Sequence, residues 1–118
     1  MRFAEFWDAY RAYSVAGSKE RQAVEAGGAR FELYFSMGTP RARFQPASSL
    51  DVAGDATGEA LGRLAEQQNL RLDFRDDSYV VTDGEGVYLG RVRSAELLFS
   101  PDRLVEQPAL LEGLVGLY

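Results

Sequence analysis

The chain has 118 residues, of which 46% are hydrophobic and 26% are charged, a composition typical of one globular domain. It contains no cysteine, which excludes disulfides, cysteine-ligated zinc, iron–sulfur clusters and thiol nucleophiles. It also contains no histidine, so a Ser-His-Asp triad and a His-Glu-x-x-His zinc helix are impossible. Any catalysis would have to rely on carboxylates, arginine, tyrosine, serine or the single Lys19.

The formal net charge is −5, and most of the excess acid lies in residues 60–118, which carry 10 acidic and 6 basic groups. A negative surface repels phosphate backbones, so nucleic acid is an unfavoured partner and a basic protein is a favoured one. Glu5 and Asp8 interrupt any signal-peptide core, and no apolar run approaches the length of a membrane span. We therefore expect a cytoplasmic protein that does not engage a membrane.

The first predicted element is a helix ending near Gly17. It carries an aromatic stripe at three- and four-residue steps, formed by Phe3, Phe6, Trp7, Tyr10 and Tyr13. The stripe is typical of a helix packed on a sheet, although a partner groove would use the same residues. Ser18 is a plausible N-cap for a short second helical segment, Lys19–Ala26, closed by Gly27 and Gly28.

Period-two alternation begins at Arg30 and predicts a hairpin over residues 30–44, with Phe31, Leu33, Phe35 and Met37 on the buried side. Its turn is expected at Gly38-Thr39-Pro40. Residues 45–56, rich in Pro, Ser, Gly and Asp, form the longest loop candidate, and loops of this length are often functional.

A central helix is predicted over residues 57–68, capped by Asp55 or Thr57 and ended by a left-handed Asn69. An antiparallel meander over residues 70–93 follows. Its strands are Leu70–Arg75, with Leu70, Leu72 and Phe74 inward, then Tyr79–Thr82 and Val87–Arg93.

Ser100-Pro101 is a helix start with a capping serine, and Pro108 should break or restart the helical segment over residues 101–118. Its leucine-rich end is either a docked core helix or a dimer surface. The whole chain, 1–118, is thus expected to be one α+β domain with a largely antiparallel sheet of about five strands. In topology alone, this order resembles domains of the secretion-chaperone type.

The densest group of acids lies around two predicted turns and comprises Asp73, Asp76, Asp77, Asp83 and Glu85. Carboxylates gathered at one sheet end could bind a hard cation, but successive meander turns lie at opposite ends, and the spacing is not that of an EF-hand. We therefore expect no metal and no cofactor. The glycines at 84, 86 and 90 precede a strand rather than a helix, which argues against a phosphate loop.

Arginine and tyrosine alternate on the expected outer face of the strands, at Arg30, Tyr34, Arg41, Arg43, Arg71, Arg75, Arg91 and Arg93. Such a face can bind single-stranded nucleic acid by stacking and charge. Glu32 and Asp73 on the same faces and the negative net charge argue against that function here.

The absence of catalytic side chains and the excess acid favour a non-catalytic protein-binding module of the immunity-protein, dedicated-chaperone or adaptor type. Its partner would be a protein, with a basic one favoured, bound by Tyr34, Asp76, Asp77, Asp83 and Glu85. The alternatives are a small-ligand-binding domain or carboxylate-based enzyme, and a structural subunit of a homo-oligomer such as a homodimer.

Overall fold

The computed structural model describes all 118 residues, which form an α+β fold with four helices and seven strands. In chain order the elements are α1 (Ala4–Val15), β1 (Gln22–Ala26), β2 (Ala29–Ser36), β3 (Thr39–Gln45), α2 (Asp55–Gln68), β4 (Leu70–Arg75), β5 (Ser78–Asp83), β6 (Tyr88–Val92), β7 (Leu97–Phe99), α3 (Pro101–Leu104) and α4 (Pro108–Val115).

All seven strands belong to one antiparallel sheet in the order β1-β2-β3-β7-β6-β5-β4. The shortest strand, β7, lies at its centre and joins the β1–β3 strands to the β4–β6 meander. The expected antiparallel sheet is confirmed, but the count of about five strands is wrong because β1 and β7 were not recognised as strands. The three residues of β7 are too few for a periodicity to show.

The helical segment expected at Lys19–Ala26 is wrong, because residues 22–26 form the edge strand β1. Val24 and Ala26 point into the core at alternate positions and pair with Phe31 and Ala29 of β2. The apolar burial gained in a strand therefore outweighs the local preference for a short helix. Gly27 and Gly28, taken as a helix stop, both have positive φ and form the two-residue hairpin turn between β1 and β2.

The β2–β3 hairpin is confirmed, with its turn at Met37–Gly38 rather than at Gly38-Thr39-Pro40. Met37 was expected on the buried side, but it is fully exposed at the turn tip with φ +52°. The hairpin pairs Ser36 with Thr39, which leaves Met37 outside the ladder.

The helices follow the expected order with shifted boundaries. Helix α2 begins at Asp55 and ends at the left-handed Asn69, while Thr57 donates its hydroxyl to the Asp51 carbonyl rather than capping the helix. The C-terminal segment is two short helices, and Pro108 restarts the second one. The Ser100 side chain does not cap α3, because it accepts a hydrogen bond from Arg41 instead.

One hydrophobic cluster of 23 buried residues lies between the helices and one face of the sheet. The aromatic stripe of α1 supplies Phe3, Phe6, Trp7 and Tyr13 to it, which makes the stripe core rather than a partner groove. Helix α4 adds Leu110, Leu111, Leu114 and Val115, so this helix is docked core. Phe74, expected inward on β4, is 45% exposed because β4 is an edge strand. No helix is both long and apolar enough to cross a membrane.

Candidate binding surface

The helices contact only one face of the sheet, the covered face, and the opposite face carries no helix. Alternation along the strands separates the two: on β2, Phe31 and Leu33 are fully buried against the helices, while Glu32 and Tyr34 point the other way. Arg43 and Arg41 of β3 pair with Glu32 and Tyr34 and lie on the same side of the sheet as these residues. We call this second side the open face.

The open face holds most of the arginine of the chain. Eight of the 12 arginines lie on it or at its rim, namely Arg21, Arg30, Arg41, Arg43, Arg71, Arg75, Arg91 and Arg93. Six carboxylates accompany them, those of Glu25, Glu32, Asp73 and Glu96 and, at the rim beside Arg93, those of Asp76 and Asp77. This face therefore has a net charge of +2, and the remaining 5 basic and 12 acidic groups give the rest of the molecule −7. The net charge of −5 is thus unevenly distributed over the molecule.

A chain of ion pairs crosses one half of the open face. The Glu32 carboxylate forms ion pairs with Arg21 and Arg43, with N···O distances of 3.0 and 2.8 Å. The Glu96 carboxylate forms ion pairs with Arg43 and Arg93, at 3.4 and 3.1 Å. Glu32, Arg43 and Glu96 are each less than a third exposed, so these three charges are well matched within the protein. This half of the face is electrostatically satisfied.

Beside this chain lies a group with no carboxylate of its own, the open-face cluster of Tyr34, Arg41, Tyr88 and Arg91. Tyr34 pairs directly with Arg41 across β2 and β3. Arg41 donates to the Ser100 hydroxyl and forms no ion pair, and Arg91 forms neither an ion pair nor a side-chain hydrogen bond. The Nε atom of Arg91 is buried without a partner, as is the Nε atom of Arg43, but Arg91 has no ion pair through its other nitrogens.

A β-bulge delivers Tyr88 to this cluster. Val81 pairs with Gly90, and the next residue, Thr82, pairs with Tyr88, so Leu89 is an extra residue in β6. Leu89 turns into the core, and Tyr88 points to the open face with 39% of its surface exposed. Without the bulge, Tyr88 would share the core side of Gly90.

Both tyrosines of the cluster remain protonated at neutral pH. Burial raises the pKa of Tyr34, the nearby Glu96 carboxylate adds to the rise, and the charges of Arg43, Arg41 and Arg21 oppose it. Burial also raises the pKa of Tyr88, while Arg91 and Arg41 lower it. The cluster thus offers two neutral hydroxyls, which can donate or accept, beside two permanent positive charges.

The acids predicted as binding residues are placed in two groups at opposite ends of the sheet. Asp76 and Asp77 form the β4–β5 turn with φ of 51° and 54°, and Asp83 and Glu85 lie at the β5–β6 turn. Strand β5 separates the groups by about 17 Å. Asp83 is engaged within its own turn, where its carboxylate accepts the amides of Glu85 and Val87 at 2.8 and 2.9 Å. Tyr34 is remote from both turns, on the open face.

No group of three or more carboxylates is arranged to hold a metal ion. The largest cavity is a surface depression of ≈ 680 Å³ between the β2–β3 strands and the end of α4. Its lining includes Arg2, Arg30, Phe44 and Tyr118 and no acid. It contains no pair of carboxylates that could serve as general acid and base.

Sequence reasoning identified the outward arginines and Tyr34, but neither Tyr88 on the open face nor the buried contact of Ser100 with Arg41. Tyr88 was assigned to a regular strand, and only the bulge reverses its side. Gly90 was a usable signal, since a glycine inside a strand often marks a bulge. Ser100 resembled a helix cap, and no local signal indicates its contact with Arg41.

The chain matches no family model, no curated protein and no solved structure. The topological resemblance to secretion chaperones therefore carries no argument, and function has to be argued from the surface itself.

Proposed function

We propose that this chain is a non-catalytic protein-binding module whose partner docks on the open face of the sheet. The observation that carries the proposal is the charge separation: a helix-free face of net charge +2 on a molecule whose remainder carries −7. Charge complementarity of this kind steers association and selects partners. No nearby acid–base pair or nucleophile accompanies it that would favour catalysis.

The composition alone favoured a basic partner held by the acidic turns. For that arrangement, Asp76 and Asp77 would have to act about 17 Å from Asp83 and Glu85. Each group also stabilises a hairpin turn. Asp76 and Asp77 adopt the positive φ angles that their turn requires, and the Asp83 carboxylate accepts backbone amide hydrogen bonds within its own turn. The open face, in contrast, has adjacent arginines with no carboxylate, which supports an acidic partner surface.

The test is capture from a lysate of the source cells with the wild-type chain and two variants of equal net charge. In the open-face variant, Arg41, Arg71 and Arg91 become Gln. In the control, Lys19, Arg63 and Arg103, which lie away from the open face, become Gln. We expect a stoichiometric partner that wild type and control retain at low salt and that the open-face variant loses. A partner lost equally by both variants, or kept by the open-face variant, would contradict the proposal.

A small-ligand-binding function has one observation in its favour, the depression of ≈ 680 Å³ with Arg2 and Arg30 at its wall. Its size suits a small anionic molecule. A thermal-shift screen of anionic metabolites tests it, because a ligand at 100 times its dissociation constant adds about 2.7 kcal/mol to the free energy of unfolding. Stabilisation that Arg30→Gln abolishes would support this second candidate.

A further inference from the structure

Strand pairing and two hydrogen bonds align one acid-free row of side chains across the open face, through five strands and two residues that flank β1 and β7. Tyr34 pairs with Arg41, Arg41 donates to Ser100, the Ser100 amide bonds the Leu89 carbonyl, and Thr82 pairs with both Tyr88 and Arg71. Arg21, which precedes β1 and is ion-paired with Glu32, lies over the Tyr34 ring at 5.7 Å and begins the row. The row thus comprises Arg21, Tyr34, Arg41, the fully buried Ser100 after β7, Tyr88, Thr82 and Arg71.

This acid-free row is long and narrow. Six spacings between strands give it a length of about 29 Å, which an extended peptide of about nine residues spans. The parallel row beside it already contains carboxylates, those of Glu32 and Asp73, which limit the width of the positive strip. A single extended chain fits these dimensions, whereas a globular partner would require about 800 Å² of surface.

The charges in and beside the row lack counterparts within the protein. Arg41, Arg71 and Arg91 have no carboxylate within 4.0 Å, unlike Arg43 with its two. Arg41 and Arg91 are only partly exposed, and the Arg91 Nε has no acceptor. A half-buried charge without a partner is unfavourable, and an anionic group placed there would offset the cost.

We propose that the occupant of the open face is an extended acidic peptide segment of the partner protein, crossing the strands along this row with one carboxylate at Arg41, in the row, and another at Arg91, in the row beside it. The inference rests on the proposed function and specifies the chemistry of the partner. Tyr34 and Tyr88 flank the two guanidinium groups and supply hydroxyls to the peptide carbonyls and carboxylates.

Charge also distinguishes a short acidic segment from a polynucleotide. A nucleic acid strand continues past the strip of about 29 Å onto the rest of the molecule, whose net charge is −7. Only two tyrosines offer stacking platforms on this face, and Tyr34 is already covered on one side by Arg21. A segment that ends within the strip avoids the repulsion.

The experiment is fluorescence anisotropy of the full chain with a labelled peptide of about nine residues that carries Glu at alternate positions. We expect binding at low salt that weakens as salt screens the charges, and no binding of the matching Lys peptide. The double variant Arg41→Gln/Arg91→Gln should bind the acidic peptide about tenfold more weakly. The control Arg63→Gln/Arg103→Gln should bind as wild type does.

Since Arg41→Gln also removes the bond to Ser100, Arg91→Gln alone serves as a second variant, with circular dichroism as the folding check. Absence of binding to wild type, or equal weakening in the control, would overturn the proposal. Tighter binding of a nine-nucleotide oligo-dT would overturn it in favour of nucleic acid. If lysate capture depends on the open face while the Glu peptide fails to bind, the proposed protein-binding function is retained and only the inference of an acidic peptide segment is rejected.

Discussion

Phe31 and Glu32 are neighbours on β2, yet they lie on opposite faces of the sheet, one held by apolar packing and the other by ion pairs. Phe31 is fully buried on the covered face, with the rings of Phe6 and Phe3 at 4.7 and 5.2 Å. Glu32 lies on the open face between two arginines. Apolar burial on the first side stabilises the fold, whereas partly exposed ion pairs on the second add little. Charge changes at the exposed positions of the open face should therefore cost little stability.

The largest effect expected is at the covered face. Phe31→Ala removes a ring that contacts aromatic residues of α1, β3 and β7, and it should lower the free energy of unfolding by about 3–5 kcal/mol. Urea denaturation followed by circular dichroism measures the loss. Phe31→Leu, which retains most of the volume, should cost much less. A loss below about 1 kcal/mol for the alanine variant would show that the covered face is not a packed core.

The next largest loss of stability is expected at the turn of the β1–β2 hairpin, which forms one edge of the sheet. Gly27 has φ +55°, and a Cβ there would collide with the Arg2 carbonyl oxygen and the Phe3 ring. Gly27→Ala should therefore cost about 1–3 kcal/mol. Gly28→Ala is the matched control, since it has φ +77° but open space around its Cβ position. Equal losses in the two variants would mean that backbone strain alone matters and that the contact with Arg2 does not.

Local patterns predict much of the covered face and little of the open one. The three-and-four spacing of Phe3, Phe6 and Trp7 indicates a packed helix, and the structure places all three in the core. The open-face cluster depends on pairing between distant strands, such as Arg41 with Ser100, 59 residues apart. No local pattern encodes that pairing, and the central strand β7 that creates it has only three residues.

Turn chemistry offers a second explanation for the acidic residues that the sequence analysis predicts to bind a partner. Asp76 and Asp77 in sequence are equally compatible with a binding patch and with a hairpin turn. Their positive φ values show that each meets a backbone requirement that few other residues tolerate. Net charge was similarly misleading as a guide to the surface, because an average over the chain conceals a positive face.

A smaller loss of stability is expected at Tyr118, which links the end of the chain after α4 to the segment between β6 and β7. The Tyr118 hydroxyl donates to the carbonyls of Arg93 and Glu96 at 2.7 and 2.9 Å, so Tyr118→Phe should cost about 1 kcal/mol at pH 7. Burial raises the pKa of Tyr118 well above its ordinary value of 10.0, with the Arg93 hydrogen bond opposing. The folded state thus holds this proton more tightly than the unfolded state does.

The stability that follows from the raised pKa is fully present below pH 10 and is lost as the pH rises above it. The wild-type advantage over Tyr118→Phe should consequently shrink between about pH 10 and pH 11.5, measured by urea denaturation at each pH. A difference between the two proteins that stays constant over this range would contradict the assigned burial and hydrogen bonds of the hydroxyl.

The smallest effect on stability should come from the residue with the largest expected effect on binding. Arg91→Gln removes a charge without an ion pair and with a buried, unpartnered Nε, so the free energy of unfolding should change by less than about 0.5 kcal/mol. Arg43→Gln is the informative contrast, because it leaves Glu32 and Glu96 half-buried with one arginine each and should cost about 1–2 kcal/mol. If Arg91→Gln proved as costly as Arg43→Gln, the positive charge at Arg91 would be structural, and the two halves of the open face would not differ.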